Sequence, residues 1–204
     1  MLKERWSELA ARIGGAGDGA GEVYEAVAGA YGSGARFYHG MDHLRRCLAE
    51  LAAAAGLAAA PDEVEYALWM HDLVCEPGSP ANETISAAAG RHFALRLGAP
   101  PIFADRAAAL ILATRHDRPP ADGDIALLLD IDLAVLGDPW PAFVAYEAGI
   151  RREYAYVAAP LYVRRRRAFL RALLARESIF RTALFRGRCE GTARRNMERL
   201  LAAL

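Results

Sequence analysis

The stretch YALWMHDLVCEP, residues 66–77, poses the fold question most sharply. Its first half is apolar on every side, which suits a helix buried all round rather than one lying along a surface. Inside it stand His71 and Asp72, two ionisable groups that are costly to take out of water unless each finds a partner. Outward from this segment the chain repeats one theme: apolar residues at helical spacing, no convincing alternating strand, and proline or glycine between segments. Pro61-Asp62-Glu63, Pro100-Pro101 and Pro139 to Pro141 lie where helices start, and Gly56, Gly98 and Gly137 lie where they stop. The pattern predicts helices over 2–12, 21–31, 41–56, 62–75, 83–97, 101–115, 124–136, 140–158, 160–176 and 188–203. The expected fold class is all-α, a single-domain bundle of about ten helices. It covers residues 1–204, with a core part over 30–140 and arginine-rich helices of 140–204 packed on it.

At 204 residues and 54% hydrophobic composition, the chain is long enough to bury a substantial core as one domain. Its 25 basic and 25 acidic side chains balance, but unevenly: from Ile150 onward there are 14 arginines against four glutamates. Such asymmetry fits two halves docking by complementary charge, with some arginines left over for an anionic ligand. Nucleic acid is the weaker expectation, because the RRRR run at 164–167 would point in nearly every direction from a helix. Cys47, Cys75 and Cys189 form no CxxC pair and read as small core residues of a chain kept in a reducing cytoplasm. MLKERWSELAARI at the start has no apolar stretch of the signal-peptide kind. The longest apolar run, LAAAAGLAAA at 51–60, is about half of the roughly 20 residues a bilayer span needs, so no membrane association is expected.

Four of the five histidines fall beside acidic residues. His39 and His43, in RFYHGMDHL, are four apart and share one face of a helix or its entry turn. His71-Asp72 follows; His116 closes LILATRHD, and Asp130 and Asp132 interrupt LLLDIDLAVLG, the most apolar helix. Each could be satisfied locally, Asp72 by capping a loop, Asp130 by facing an arginine, His39 by lying at the surface. A shared site explains all four segments at once, because imidazoles and carboxylates converging from separate helices suit a first-row divalent ion. His92, on AAAGRHFALRLG, reads as structural.

The order His43, His71-Asp72 and a late aspartate in an apolar helix resembles the HD superfamily of metal-dependent phosphohydrolases. RFYHGMDHL, WMHDLVCEPGSPANETISA, LILATRHD, LLLDIDLAVLG, YEAGIRREY and EGTARRNMERL together look like one bacterial branch of it, over residues 30–200. The resemblance implies an all-helical fold in which His43, His71 and Asp72 are metal ligands. Asp132, followed directly by Leu133, is the preferred last ligand and Asp130 the alternative. By similarity to cyclic-nucleotide phosphodiesterases, His39 is the candidate general acid. His116 matches a position used for a second metal or for substrate. Glu83 either orients water or braces a ligand, or is simply the first-turn carboxylate of its helix. Arg36 or a tail arginine would grip phosphate. Arg151, Glu153, Tyr154, Glu190, Arg194 and Asn196 match motifs of this branch and read as a buried polar network. The implied cofactor is one divalent ion or two, drawn from Mn, Fe, Ni, Co, Mg and Zn. The implied partner is a small phosphorylated, nucleotide-like substrate, with a homodimer left open. The expected function is hydrolysis of a phosphomonoester or phosphodiester through metal-activated water. The alternative is a catalytically silent metal- and nucleotide-binding signalling protein.

Overall fold

A computed structural model describes residues 2–14 and 19–204. Every regular element among them is helical: α1 (Leu2–Ile13), α2 (Gly19–Tyr31), α3 (Met41–Ala53), α4 (Pro61–Met70), α5 (Asn82–Arg96), α6 (Pro101–Ala113) and α7 (Gly123–Leu133) come first. A 3-10 turn (Ala134–Gly137) leads into α8 (Trp140–Glu153) and α9 (Ala159–Leu174), then a short α10 (Ala183–Phe185), a π-helical turn (Arg186–Glu190) and α11 (Gly191–Ala203). No described helix is long and apolar enough to cross a membrane.

The middle of the molecule is α4. Every residue from Val64 to Met70 is buried, and the helix touches α1, α3, α5, α6 and α7. Trp69 packs edge-on against Trp6 of α1 at 5.3 Å between ring centroids. Gly90 lets α5 come close, since a Cβ there would lie 2.7 Å from Ile111 Cδ1 and 3.3 Å from Met70 Cβ. In the room so made, the Tyr66 hydroxyl donates to Gly90 O at 2.7 Å. Helix α7 is likewise buried over most of its length, from Asp124 to Leu133.

Two helices, α4 and α8, end five residues earlier than their periodicity predicts. The α4 pattern runs to residue 75, yet the helix stops at Met70 because side chains take over its hydrogen bonding. His71 Nδ1 bonds Leu68 O at 2.9 Å, Asp72 N donates to the Tyr31 hydroxyl at 3.2 Å, and Val74 N donates to Ser86 Oγ at 3.0 Å. The α8 pattern runs to 158 but stops at Glu153, where Arg151 donates to Tyr154 O at 2.6 Å and Val157 O at 3.3 Å. Both endings turn the chain toward the same cavity.

Complementary charge docks the halves less than composition suggests. Among the described residues, tail arginines pair with carboxylates outside the tail at Arg166–Glu147 and Arg188–Glu50. Others hold backbone: Arg194 donates to Leu174 O and Arg176 O, and Arg176 to His116 O. Of the RRRR run, Arg166 turns inward while Arg164 and Arg165 are exposed.

Candidate metal centre

Three helix ends meet beneath a cavity of about 500 Å³. His43 comes from the first turn of α3, His71 and Asp72 from the turn closing α4, and Asp132 from the end of α7. The Nε2 atoms of His43 and His71 face each other at 3.1 Å. Asp72 Oδ2 lies 3.1 Å from His71 Nε2 and 3.5 Å from His43 Nε2; Asp132 Oδ1 lies 3.7 and 3.4 Å from the same atoms. Both histidines are buried.

The His71 tautomer is set by the backbone. Its Nδ1 faces the Leu68 carbonyl, an obligate acceptor, so Nδ1 carries the proton and Nε2 presents a lone pair. That lone pair faces a second imidazole nitrogen and two carboxylate oxygens, an arrangement that repels itself without a cation at its centre. Donors ligating one ion at about 2.1 Å stand roughly 3.0 to 3.4 Å apart, close to the spacings seen here. Asp72 Oδ2 is moreover buried with no hydrogen-bond partner among the described residues. These four side chains fit a divalent ion.

Cys47 joins them. One donor atom each from His43, Cys47, His71 and Asp132 lies within 4.8 Å of the others, and this buried group could hold a metal ion. The thiol sits 3.6 and 3.8 Å from the Nε2 and Nδ1 of His43, beside the ring rather than along its Nε2 lone pair, so Asp72 is the better placed fourth donor. In the sequence Cys47 reads as core filling. Its spacing of four from His43 on α3, one turn along the same face, was the available signal.

The electrostatics of the metal-free chain follow from the same contacts. Burial disfavours the charge on Asp72, but His71 and His39 outweigh it and hold the carboxyl below its usual range. Asp132 is also held well below, against burial, by bonds to His116, His43 and His71. Burial pushes His43 down, whereas Asp72 and Asp132 overcome burial at His71 and raise it well above 6.5. The two carboxylates thus favour positive charge at His71, where a cation would also sit.

Asp130 and Asp132 part company. Two residues apart on a helix, they point to nearly opposite sides. Asp130 accepts from Arg181 N and Thr182 N, each at 2.7 Å, and from Thr182 Oγ1 at 2.7 Å, so both its oxygens hold the 181–182 backbone and the alternative assignment as a ligand is corrected. His116 donates from Nε2 to Asp132 Oδ2 at 2.8 Å, reaching it through a left-handed backbone (φ 56°), with its carbonyl held by Arg176 at 2.8 Å. Asp132 is therefore shared between the facing histidines and His116.

His39 lies at the cavity edge, on the turn before α3. Its Nδ1 meets Glu153 Oε2 at 2.7 Å, and Glu153 Oε1 accepts from the backbone N–H of Phe37, Tyr38 and His39 at 2.7 to 2.9 Å. Burial opposes the charge on His39, but Asp72, Cys75 and Glu153 raise it well above 6.5. Gly149 makes this reach feasible: a Cβ there would come 3.0 Å from Phe37 O and 3.2 Å from Tyr38 Cβ.

The remaining residues divide. Arg36 is corrected as a phosphate contact: its guanidinium donates to Asp72 O at 2.6 Å, Leu73 O at 2.9 Å and His39 O at 3.2 Å, and rivets the two site turns together. The arginines lining the cavity are Arg115, Arg165 and Arg166. Arg166 is committed to Glu147 and the Tyr146 hydroxyl. Glu83 lines the cavity 3.7 Å from Arg115 Nε. Glu190, Arg194 and Asn196 hold backbone, as the polar-network reading expects: Glu190 binds the N–H of Ile179 and Phe180, and Asn196 the carbonyls of Leu136 and Asp138.

No protein-family model matches the chain, and neither the curated proteins nor the solved structures include a match to it.

Proposed function

We propose that the protein is a metal-dependent phosphohydrolase that cleaves a phosphomonoester or phosphodiester of a small, nucleotide-like substrate. The observation that carries this reading is the Nε2 of His71, which shares its 3.1 to 3.7 Å surroundings with His43, Asp72 and Asp132 on the floor of a cavity. A divalent ion bound there would supply Lewis-acid polarisation of a phosphoryl oxygen and acidify the attacking water.

The chain's own residues complete the chemistry. Glu153 fixes the His39 ring through Nδ1, which leaves Nε2 to hold a proton for the leaving oxygen. The same carboxylate favours the imidazolium, the form a general acid must start from. Arg165 lines the cavity and makes no ion pair among the described residues, which suits it to an anionic group of the substrate. The cavity is also lined by Ile150, Tyr154, Val157, Tyr162 and Phe169, an apolar and aromatic surface for the organic part of the ester. About 500 Å³ accommodates a small ligand and excludes a folded phosphoprotein from the floor.

The test is turnover by purified protein loaded with Mn, Co, Ni, Zn or Mg against a nucleotide panel and a generic aryl phosphate. Metal-dependent release of phosphate from a monoester, or of alcohol and phosphomonoester from a diester, supports the reading. A metal-loaded protein that turns over none of them contradicts it.

A further inference from the structure

One guanidinium holds both residues on which the proposed chemistry turns. Arg36 Nη1 donates to the carbonyl oxygen of Asp72, a candidate metal ligand, at 2.6 Å and to that of His39, the proposed proton donor, at 3.2 Å. Its Nη2 donates to Leu73 O at 2.9 Å. The three carbonyls belong to two turns, one leading into α3 and the other closing α4. A charged donor makes such bonds stronger than neutral ones, and the planar fork fixes how far apart its acceptors stand, which a point charge does not.

Each of the two residues is fixed at its other backbone group as well. Asp72 N donates to the Tyr31 hydroxyl at 3.2 Å, and the ring of the same buried tyrosine lies against the guanidinium, with Arg36 Cζ 5.2 Å from its centroid. His39 N donates to Glu153 Oε1 at 2.9 Å, with the ring held through Nδ1 on Oε2 at 2.7 Å. The turn between them is tight against α2, since a Cβ at Gly40 would lie 3.3 Å from Tyr31 O and 3.5 Å from Arg36 O. Neither Asp72 nor His39 can shift along its turn without breaking a bond, and Arg36 is the group common to both.

A general acid acts only within hydrogen-bond reach of the leaving oxygen, so the span between the Asp72 turn and His39 governs the rate. A misplacement of about 1 Å caused by a change remote from the chemistry can cost ~10²-fold. We propose that Arg36 is a positioning residue of the reaction: by gripping the backbone of Asp72 and of His39 together, it sets the span between the metal centre and the proton donor. It acts through those two residues and not on the substrate. This rests on the hydrolase reading above.

The experiment compares wild type with Arg36→Lys and Arg36→Ala, all saturated with Mn. It measures metal content, melting temperature, and kcat and KM for two esters: an alkyl phosphate, whose leaving oxygen needs a proton, and an aryl phosphate, whose leaving oxygen does not. Arg36 borders a second cavity of about 520 Å³ with Leu73, Cys75 and Glu153, through which free guanidinium can reach the place of the deleted side chain. The proposal expects full metal content in both variants, KM within ~3-fold of wild type, and kcat lower by ~10- to ~100-fold on the alkyl ester but by less on the aryl ester. Guanidinium at millimolar, non-denaturing concentration should restore the kcat of Arg36→Ala and saturate. Arg36→Lys keeps the charge and loses the fork, so it carries the test if Arg36→Ala does not fold. A wild-type kcat on the alkyl ester in Arg36→Lys overturns the proposal and leaves the hydrolase reading standing. So does a loss equal on both esters, or a loss of the ion at saturating Mn. A lowered melting temperature with kcat per folded molecule unchanged assigns Arg36 a structural role and also overturns it. A metal-loaded wild type that turns over neither ester contradicts the hydrolase reading, and this inference with it.

Discussion

Glu153 holds His39 across 114 residues of chain, with one carboxylate oxygen on the imidazole Nδ1 at 2.7 Å and the other on three consecutive backbone N–H groups. The contact ties α8 to the turn that begins the site, and its side chain is almost fully enclosed, at 1% exposure. A carboxylate so bound is both a mount and an electrostatic bias. Its removal should therefore be felt in stability and in pH dependence.

Glu153 is a stronger acid in the folded chain than in the unfolded one. Burial works against its charge, but the bonds to His39 and the backbone win, and its folded-state value lies below the ordinary 4.5. Its stabilisation is present above 4.5 and is lost as pH falls through the depressed folded value. Glu153→Gln should cost on the order of 2 kcal/mol at neutral pH in denaturant unfolding and flatten the acid limb of the stability curve. Parallel curves for the two proteins from neutral to acid pH would rule this role out.

His39 separates an enzyme from a silent binding protein. His39→Gln should retain the metal and lose about 10²- to 10⁴-fold in kcat against an ester with a poor leaving group. The loss should shrink for an aryl phosphate whose leaving oxygen needs no proton. A uniform small effect on both substrates would favour the silent alternative.

Asp130 should behave as a structural residue in spite of its place two residues from Asp132. Asp130→Asn should destabilise the fold by about 2 to 3 kcal/mol, because it weakens three bonds to a buried carboxylate, and should leave metal content untouched. Unfolding and elemental analysis of the same preparation check both halves.

Metal binding should compete with a proton. His71 is raised well above 6.5 in the metal-free chain, so at neutral pH an incoming ion displaces its proton. Apparent metal affinity should rise between about pH 6 and about pH 8, with proton release visible in calorimetry in buffers of different ionisation enthalpy. Affinity independent of pH over that span would contradict the assignment.

The all-helical class was legible because proline and glycine mark the helix boundaries and the period of the apolar residues does not alternate. That His43, His71-Asp72 and the helix of Asp130 and Asp132 share a site was legible as buried charge in need of a partner. What the sequence withheld were relationships set by tertiary contact. Tyr31 and Ser86 cut α4 short from elsewhere in the chain. Asp130 and Asp132 lie on a helix buried on nearly every side, so hydropathy could not say which side held the site. Arg36 looked like a free cation until the carbonyls of Asp72 and Leu73 were found on it. Glu153 belonged to a legible motif, but its target was too distant to name.

The most direct measurement is the metal content of wild type and Asp132→Asn, purified and equilibrated side by side with Mn, Co or Zn and then desalted. The account predicts about one firmly held ion per chain in wild type, as a site of two imidazoles and two carboxylates should hold, and its loss in Asp132→Asn with the fold intact. A wild type without bound metal, or an Asp132→Asn protein that binds as much as wild type, would contradict it.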